Sequence, residues 1–183
     1  LMYERFRVYD TLPEGVHTIK AYCDTADTGS DYLCGIVYAE YRTGECYVLD
    51  ILYTQKAMEY TEPEMARMLV RWGCQVARIE SNNGGRGFAR NVERIVREMG
   101  NKAMKIEWFT QSLNKQARIF SHSAEVQNLV YYPRGWESAF PLYATAMRAY
   151  RKQGRNAHDD APDAATGVVE SIYASQRTIF SRT

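Results

Sequence analysis

Residues 17–55 read HTIKAYCDTADTGSDYLCGIVYAEYRTGECYVLDILYTQ, and the fold follows from how this stretch is divided. In HTIKAYCDT (17–25) side chains alternate, with Ile19, Ala21 and Cys23 on one face, so the run predicts a strand ending near Asp24. A loop, TADTGSD, follows. YLCGIVYAEY (32–41) and CYVLDILYTQ (46–55) are rich in β-branched and aromatic residues, and the Gly-containing connector RTGE between them marks a hairpin. The stretch therefore predicts three antiparallel strands in a meander.

Beyond Gln55 the period changes. Thr61 with Glu64 three residues on has the form of a capping box, ahead of a helical stripe of Met65, Met68, Leu69 and Trp72. ARIES (77–81) reads as a short buried strand broken by NNGG. Phe88 to Met99 is amphipathic: Phe88, Val92, Ile95, Val96 and Met99 point inward, Arg90, Glu93, Arg94, Arg97 and Glu98 outward, and Gly100 ends it. MKIEWFT (104–110) is a fifth strand, followed by helices over Lys115 to about Asn128, Trp136–Arg151 and Asp163–Ser175. The order β-β-β-α-β-α-β, then helices, requires an α/β fold with a mixed five-stranded sheet and helices on both faces. KQGRNAHDD (152–160) is the most loop-like internal stretch, and no internal repeat occurs. Residues 1–183 read as a single domain with 1–16 and 177–183 peripheral; Leu1 before Met2 suggests a piece of a longer protein.

Composition narrows the function. Hydrophobic residues make up 45% and charged residues 25%, values of an ordinary globular domain. No apolar run approaches the length of a membrane span, and LMYERFRVYD has charges where a signal peptide needs an apolar segment. Cys23, Cys34, Cys46 and Cys74 lack CxxC spacing and three of them fall in strand-like runs, which argues for buried thiols rather than zinc or disulfides, and for a cytoplasmic setting. The net charge of +1 places any nucleic-acid affinity in local patches. No GxxxxGK[ST] loop occurs, so ATP-driven work cannot reside in this segment.

Three acidic positions carry the chemistry. Asp24 ends the first strand, Glu80 ends the fourth, and Asp159, Asp160 and Asp163 cluster where the last helix starts. If strands one and four are neighbours, two carboxylates emerge side by side, and the last helix can deliver a third. Crowded carboxylates raise one another's pKa, a conflict that a hard divalent cation removes. Each acid also has an ordinary account: Asp24 and Glu80 as turn residues, Asp160 as an N-cap, Asp163 as first-turn complement to the helix dipole. Their common location at element ends favours the joint reading.

The order CDTADTGSDY, IESNNGG, HDDAPDA resembles the C-terminal nuclease domain of the large terminase subunit of tailed bacteriophages, over about His17 to Ser175. The resemblance implies a ribonuclease H-like fold that cleaves double-stranded DNA during viral genome packaging with two Mg²⁺ or Mn²⁺ ions. It implies catalytic and metal-binding roles for Asp24, Glu80 and Asp163, with Asp160 and Asp31 as further metal-side acids; Asp31 equally suits a turn before the second strand. It implies an ATPase domain upstream in the same chain, a small terminase subunit and a portal as partners, and the cytoplasm of the bacterial host as location. In the same pattern NKQARI (114–119) places Lys115 and Arg118 toward DNA phosphates.

Arg86, close behind NNGG, and the acid-free cluster of Arg148, Arg151, Lys152 and Arg155 add candidate phosphate contacts, of which Arg86, Arg151, Lys152 and Arg155 are taken as DNA-binding. A solvated helix end explains the cluster as well. His158 beside the HDD motif is more often a surface residue than a water-positioning one. Two rival readings stand: another nuclease of this fold, of junction-resolvase or transposase type, and a non-catalytic DNA-binding module.

Overall fold

The computed structural model describes residues 5–26, 30–82, 85–151, 156 and 158–180; Lys152 and Arg155 lie outside them. The predicted meander is present as β2 (His17–Asp24), β3 (Leu33–Tyr41) and β4 (Cys46–Thr54), paired antiparallel in that order, with a register shift between Val37 and Tyr38. In the connecting turn the Tyr41 N–H donates to the Glu45 carbonyl at 3.0 Å, and Gly44 adopts φ +87°, a conformation that favours glycine. β5 (Val76–Glu80) joins the other side of β2 in parallel, and β6 (Lys105–Phe109) lies parallel to β5.

Two further strands are present: β1 (Arg7–Tyr9), inside the stretch read as peripheral, and β7 (Val130–Pro133), inside a connection between helices. They pair with each other in parallel, and β7 pairs with β4. The sheet therefore has seven strands, not five, in the order β1-β7-β4-β3-β2-β5-β6. Runs of three and four residues are too short for alternation to register, and Pro133, which lacks a ladder donor, is the last residue of β7, beyond the point where its pairing with β4 has ended.

Helices cover both faces. α1 (Met58–Arg71) and α2 (Gly85–Glu98) bury Met65, Leu69, Phe88, Val92 and Val96 against the face carrying Ala21, Cys23, Val37, Ala77 and Ile79. Tyr22, Ile36, Tyr38 and Val48 point the other way, into a core closed by α4 (Ser123–Leu129), α5 (Trp136–Ala139), α6 (Pro141–Ala149) and α7 (Asp160–Phe180), with α3 (Lys115–Ser121) packed on α7. All four cysteines are buried free thiols.

Several element boundaries differ from expectation; α2 spans Gly85–Glu98 rather than Phe88 to Met99, and α7 spans Asp160–Phe180 rather than Asp163 to Ser175, entering the C-terminal stretch read as peripheral. α1 starts at Met58 behind Ala57, and the Thr61 N–H already bonds the Ala57 carbonyl, so Thr61 is a buried helix residue and no capping box forms. The helix expected over 115–128 is two helices meeting at His122. The one expected over 136–151 breaks before Pro141, which lacks an N–H and opens α6.

Helix α7 sits unusually close to the sheet. A Cβ on Gly167 would stand only 2.1 Å from the Tyr22 Cζ. With Ala161, Ala164 and Ala165 also buried on this helix, small side chains bring its first turns, with Asp160 and Asp163, down to the ends of β2 and β5.

Candidate metal centre

The parallel register of β2 and β5 pairs Cys23 with Ile79, so Asp24 and Glu80 follow side by side at the C-terminal ends of adjacent strands. The first turn of α7 adds Asp163. One carboxylate oxygen from each of Asp24, Glu80 and Asp163 lies within 4.8 Å of the others, and all three residues are at least 98% buried. Residues 24, 80 and 163 thus converge. Asp163, rather than Asp160, completes the trio.

Each member is held. Glu80 accepts from the Tyr22 hydroxyl at 3.1 Å and from Asn82 Nδ2 at 2.8 Å, and its backbone carbonyl accepts from the Thr25 hydroxyl at 2.9 Å. Asn82 is itself tied to Gln111, donating to its carbonyl and accepting from its N–H, which links the ends of β5 and β6. Asp163 Oδ1 accepts from Arg118 at 2.8 Å, and the same guanidinium grips Glu170 with two further bonds of 3.1 and 2.7 Å. Lys115 Nζ lies 3.2 Å from Asp24, 3.1 Å from Asp160 and 3.7 Å from Asp163. Asp160 also accepts from the Tyr32 N–H at 3.1 Å.

The electrostatics show the strain of this packing. Burial pushes the Asp163 carboxyl up to about 7 against the pull of Arg118 and Lys115. Burial likewise raises Asp24 well above the usual carboxylate range; Lys115 opposes this and the neighbouring acids add to it. Burial also works against the charge on Lys115, but Asp24, Asp160 and Asp163 outweigh it and raise its pKa. Asp163 Oδ2 is buried without a hydrogen-bond partner. Hard oxygen donors, crowded and desolvated, one of them unsatisfied, fit a divalent cation of the Mg²⁺ or Mn²⁺ type.

The remaining sequence candidates fall in different places. Arg118, expected to face DNA, is 2% exposed and committed to Asp163 and Glu170; its residue type suits phosphate, but its position three residues into α3 points it under α7. Lys115 is part-exposed, and its ammonium turns toward the acids. Asp31 is half-buried, lies near enough to raise the pKa of Asp159, and does not join the trio. Arg86 is exposed and lies over the Trp108 ring, 4.3 Å from its centroid. Arg151 is exposed. His158 is exposed and meets Tyr32 edge-on.

Tyr22, Asn82, Gln111 and Glu170 carried no role in the sequence reading. Two of them left a trace there. Tyr22 falls on the opposite face from Ala21 and Cys23 by strand period, and Glu170 lies seven residues beyond Asp163, on the same face of the helix.

No protein-family model matches the chain, and no curated protein matches it in sequence. Solved structures do match it in fold. The nuclease domain of the large terminase subunit of bacterial virus Sf6 superposes with a TM-score of 0.58 at 12% identity, over 83% of this chain and 87% of that one. Other structures of that Sf6 domain, carrying a lysine-to-alanine substitution, contain calcium or manganese. The large terminase of a thermophilic bacteriophage matches with a TM-score of 0.57 at 14% identity, over 93% of this chain but 45% of its own. The fowlpox virus Holliday junction resolvase matches with a TM-score of 0.55 at 13% identity, over 87% and 99%. The chain has the ribonuclease H-like fold of the nuclease domains of phage large terminase subunits.

Proposed function

We propose that this chain is a divalent-metal-dependent endonuclease that hydrolyses double-stranded DNA during viral genome packaging. The observation that carries the reading is the convergence of Asp24, Glu80 and Asp163 in a buried cluster. Asp24 and Asp163 are the residues to hold one ion, and Glu80 a second. When bound, such a pair supplies a nucleophile at neutral pH and offsets the charge developing on the departing 3′ oxygen. The protein's own groups orient the ligands. Tyr22 and Asn82 fix both oxygens of Glu80, and Arg118 fixes one oxygen of Asp163 while leaving the other facing the site. Arg86, Arg151, Lys152 and Arg155 serve as phosphate contacts, which makes binding salt-sensitive and tolerant of sequence.

The wider setting is part of the same proposal: a single nuclease domain, an ATPase domain upstream in the intact protein, a small terminase subunit and a portal as partners, and the cytoplasm of the bacterial host as location. The match to less than half of the thermophilic phage's large terminase is consistent with such an arrangement. Among the described residues no helix is long and apolar enough to cross a membrane.

The test is nicking of supercoiled plasmid. The expected result is nicking with Mn²⁺, none with EDTA, and none with Asp24→Asn. Nicking that persists in EDTA or in that variant overturns the metal assignment; absence of nicking under all conditions favours a non-catalytic DNA-binding module. The fold match to nearly the whole of a junction resolvase keeps a second nuclease reading in play. A strong preference for four-way over linear duplex DNA would decide for it.

A further inference from the structure

Beside the carboxylate cluster, a cavity of about 310 Å³ opens between the ends of β3 and β4 and the exposed side of α6. One wall is aromatic. Tyr32 and Tyr53 stack at 4.2 Å with planes 8° apart, and His158 stands edge-on to Tyr32 at 5.0 Å. The opposite wall is Leu142, Thr145 and Ala149, along one side of α6. Leu142 is 57% exposed, a large apolar side chain left in solvent. A cationic side chain lies at the edge of this apolar space. Arg151 stands at the rim, its N–H and carbonyl both held by the Asn156 side chain at 2.8 and 3.0 Å.

The cleft is mechanically joined to the metal centre. The Tyr32 N–H donates to Asp160, and Asp160 shares Lys115 with Asp24.

We propose that this cleft receives one unpaired nucleobase of the DNA strand at the cutting site. The inference rests on the nuclease reading and names a subsite for its substrate. A base has a planar π-face that aromatic walls accept regardless of sequence. Its nucleotide carries a phosphate for Arg151 at the rim. The volume lies at the low end of ligand pockets and suits one nucleotide unit rather than a duplex. A paired base must leave the stack to enter, so strands already unpaired at the cut are favoured.

The probe is a single-stranded oligodeoxynucleotide with a central 2-aminopurine, titrated in EDTA, where stacking quenches its fluorescence. Thr145→Trp and Ala149→Trp fill the cleft from exposed positions on α6, outside the carboxylate site. The expected result is quenching by the parent protein and affinity lower by about tenfold or more in both variants, at unchanged melting temperature. Undiminished binding and quenching in both variants overturns the cleft alone, leaving Mn²⁺-dependent plasmid nicking intact. Failure of the parent to nick plasmid overturns the nuclease reading, and with it the reason to expect a base there.

Discussion

Substituting Gly167 with alanine tests whether close packing of α7 on β2 builds the metal centre. The new methyl carbon would lie 2.1, 2.3 and 2.5 Å from the Tyr22 Cζ, Cε1 and Cε2 atoms, where ordinary contact begins near 3.4 Å. Tyr22 has no room to yield: it is 1% exposed, its hydroxyl bonds Glu80, and its ring packs near Phe109. Helix α7 must therefore lift by about 1 Å, carrying Asp163, which sits one turn earlier, away from Asp24 and Glu80. Overpacking of this kind costs about 1–3 kcal/mol. The opposing gain in helix propensity from Gly to Ala is at most about 1 kcal/mol. At the upper part of that range, about 2–3 kcal/mol, the net loss of about 1–2 kcal/mol lowers the melting temperature of a chain of this size by roughly 2–8 °C. Gly87, in α2, is the control, because a Cβ there meets nothing within 4 Å. Gly87→Ala is expected to raise stability by about 0.5–1 kcal/mol. Calorimetric melts in EDTA, with Mn²⁺-dependent nicking measured in parallel, give the comparison. If Gly167→Ala melts at or above the parent temperature with full activity, the tight approach of α7 is not what sets the site.

Three further outcomes follow from the same geometry. Asp24→Asn is expected to abolish nicking while leaving the metal-free melting temperature unchanged or higher, since it relieves repulsion among buried carboxylates; a collapsed melting curve would assign Asp24 a structural role instead. Arg118→Met strands Asp163 and Glu170 and is expected to cost about 3–5 kcal/mol in urea titrations near pH 8, where a loss below 1 kcal/mol would show the pair to be dispensable. The folded pKa of Asp163, about 7 against an ordinary 3.8, means that the folded state binds more protons between those limits, so this residue's contribution to stability falls as pH rises from about 4 to about 7. The melting temperature of the metal-free parent, taken relative to Asp163→Asn, should thus decline from pH 5 to pH 8, and the gain on adding Mn²⁺ should grow over the same range; a flat or rising difference contradicts the assigned shift.

The meander, the alternation of strands and helices after it, and the acids at element ends are all legible in the amino-acid order. The reason is that these depend on local regularities: a two-residue period in 17–24, a helical stripe in 88–98, and turn residues in RTGE. That order also pointed to Asp24 and Glu80 as a pair, because parallel neighbours end at the same edge of a sheet. Tertiary structure alone decided the rest. Which acid of HDDAPDA completes the trio depends on the depth at which α7 docks, and that depth is set by Gly167 meeting Tyr22 from 145 residues earlier in the chain. Whether Arg118 turns outward or is buried depends on Asp163 and Glu170 lying on the one helix packed over it. The short strands β1 and β7 exist only because each finds distant partners, 124 residues apart between β1 and β7 and 84 between β4 and β7. Contacts of that range leave no periodic trace in the amino-acid order, since nothing local distinguishes a residue that will be met there from one that will face water.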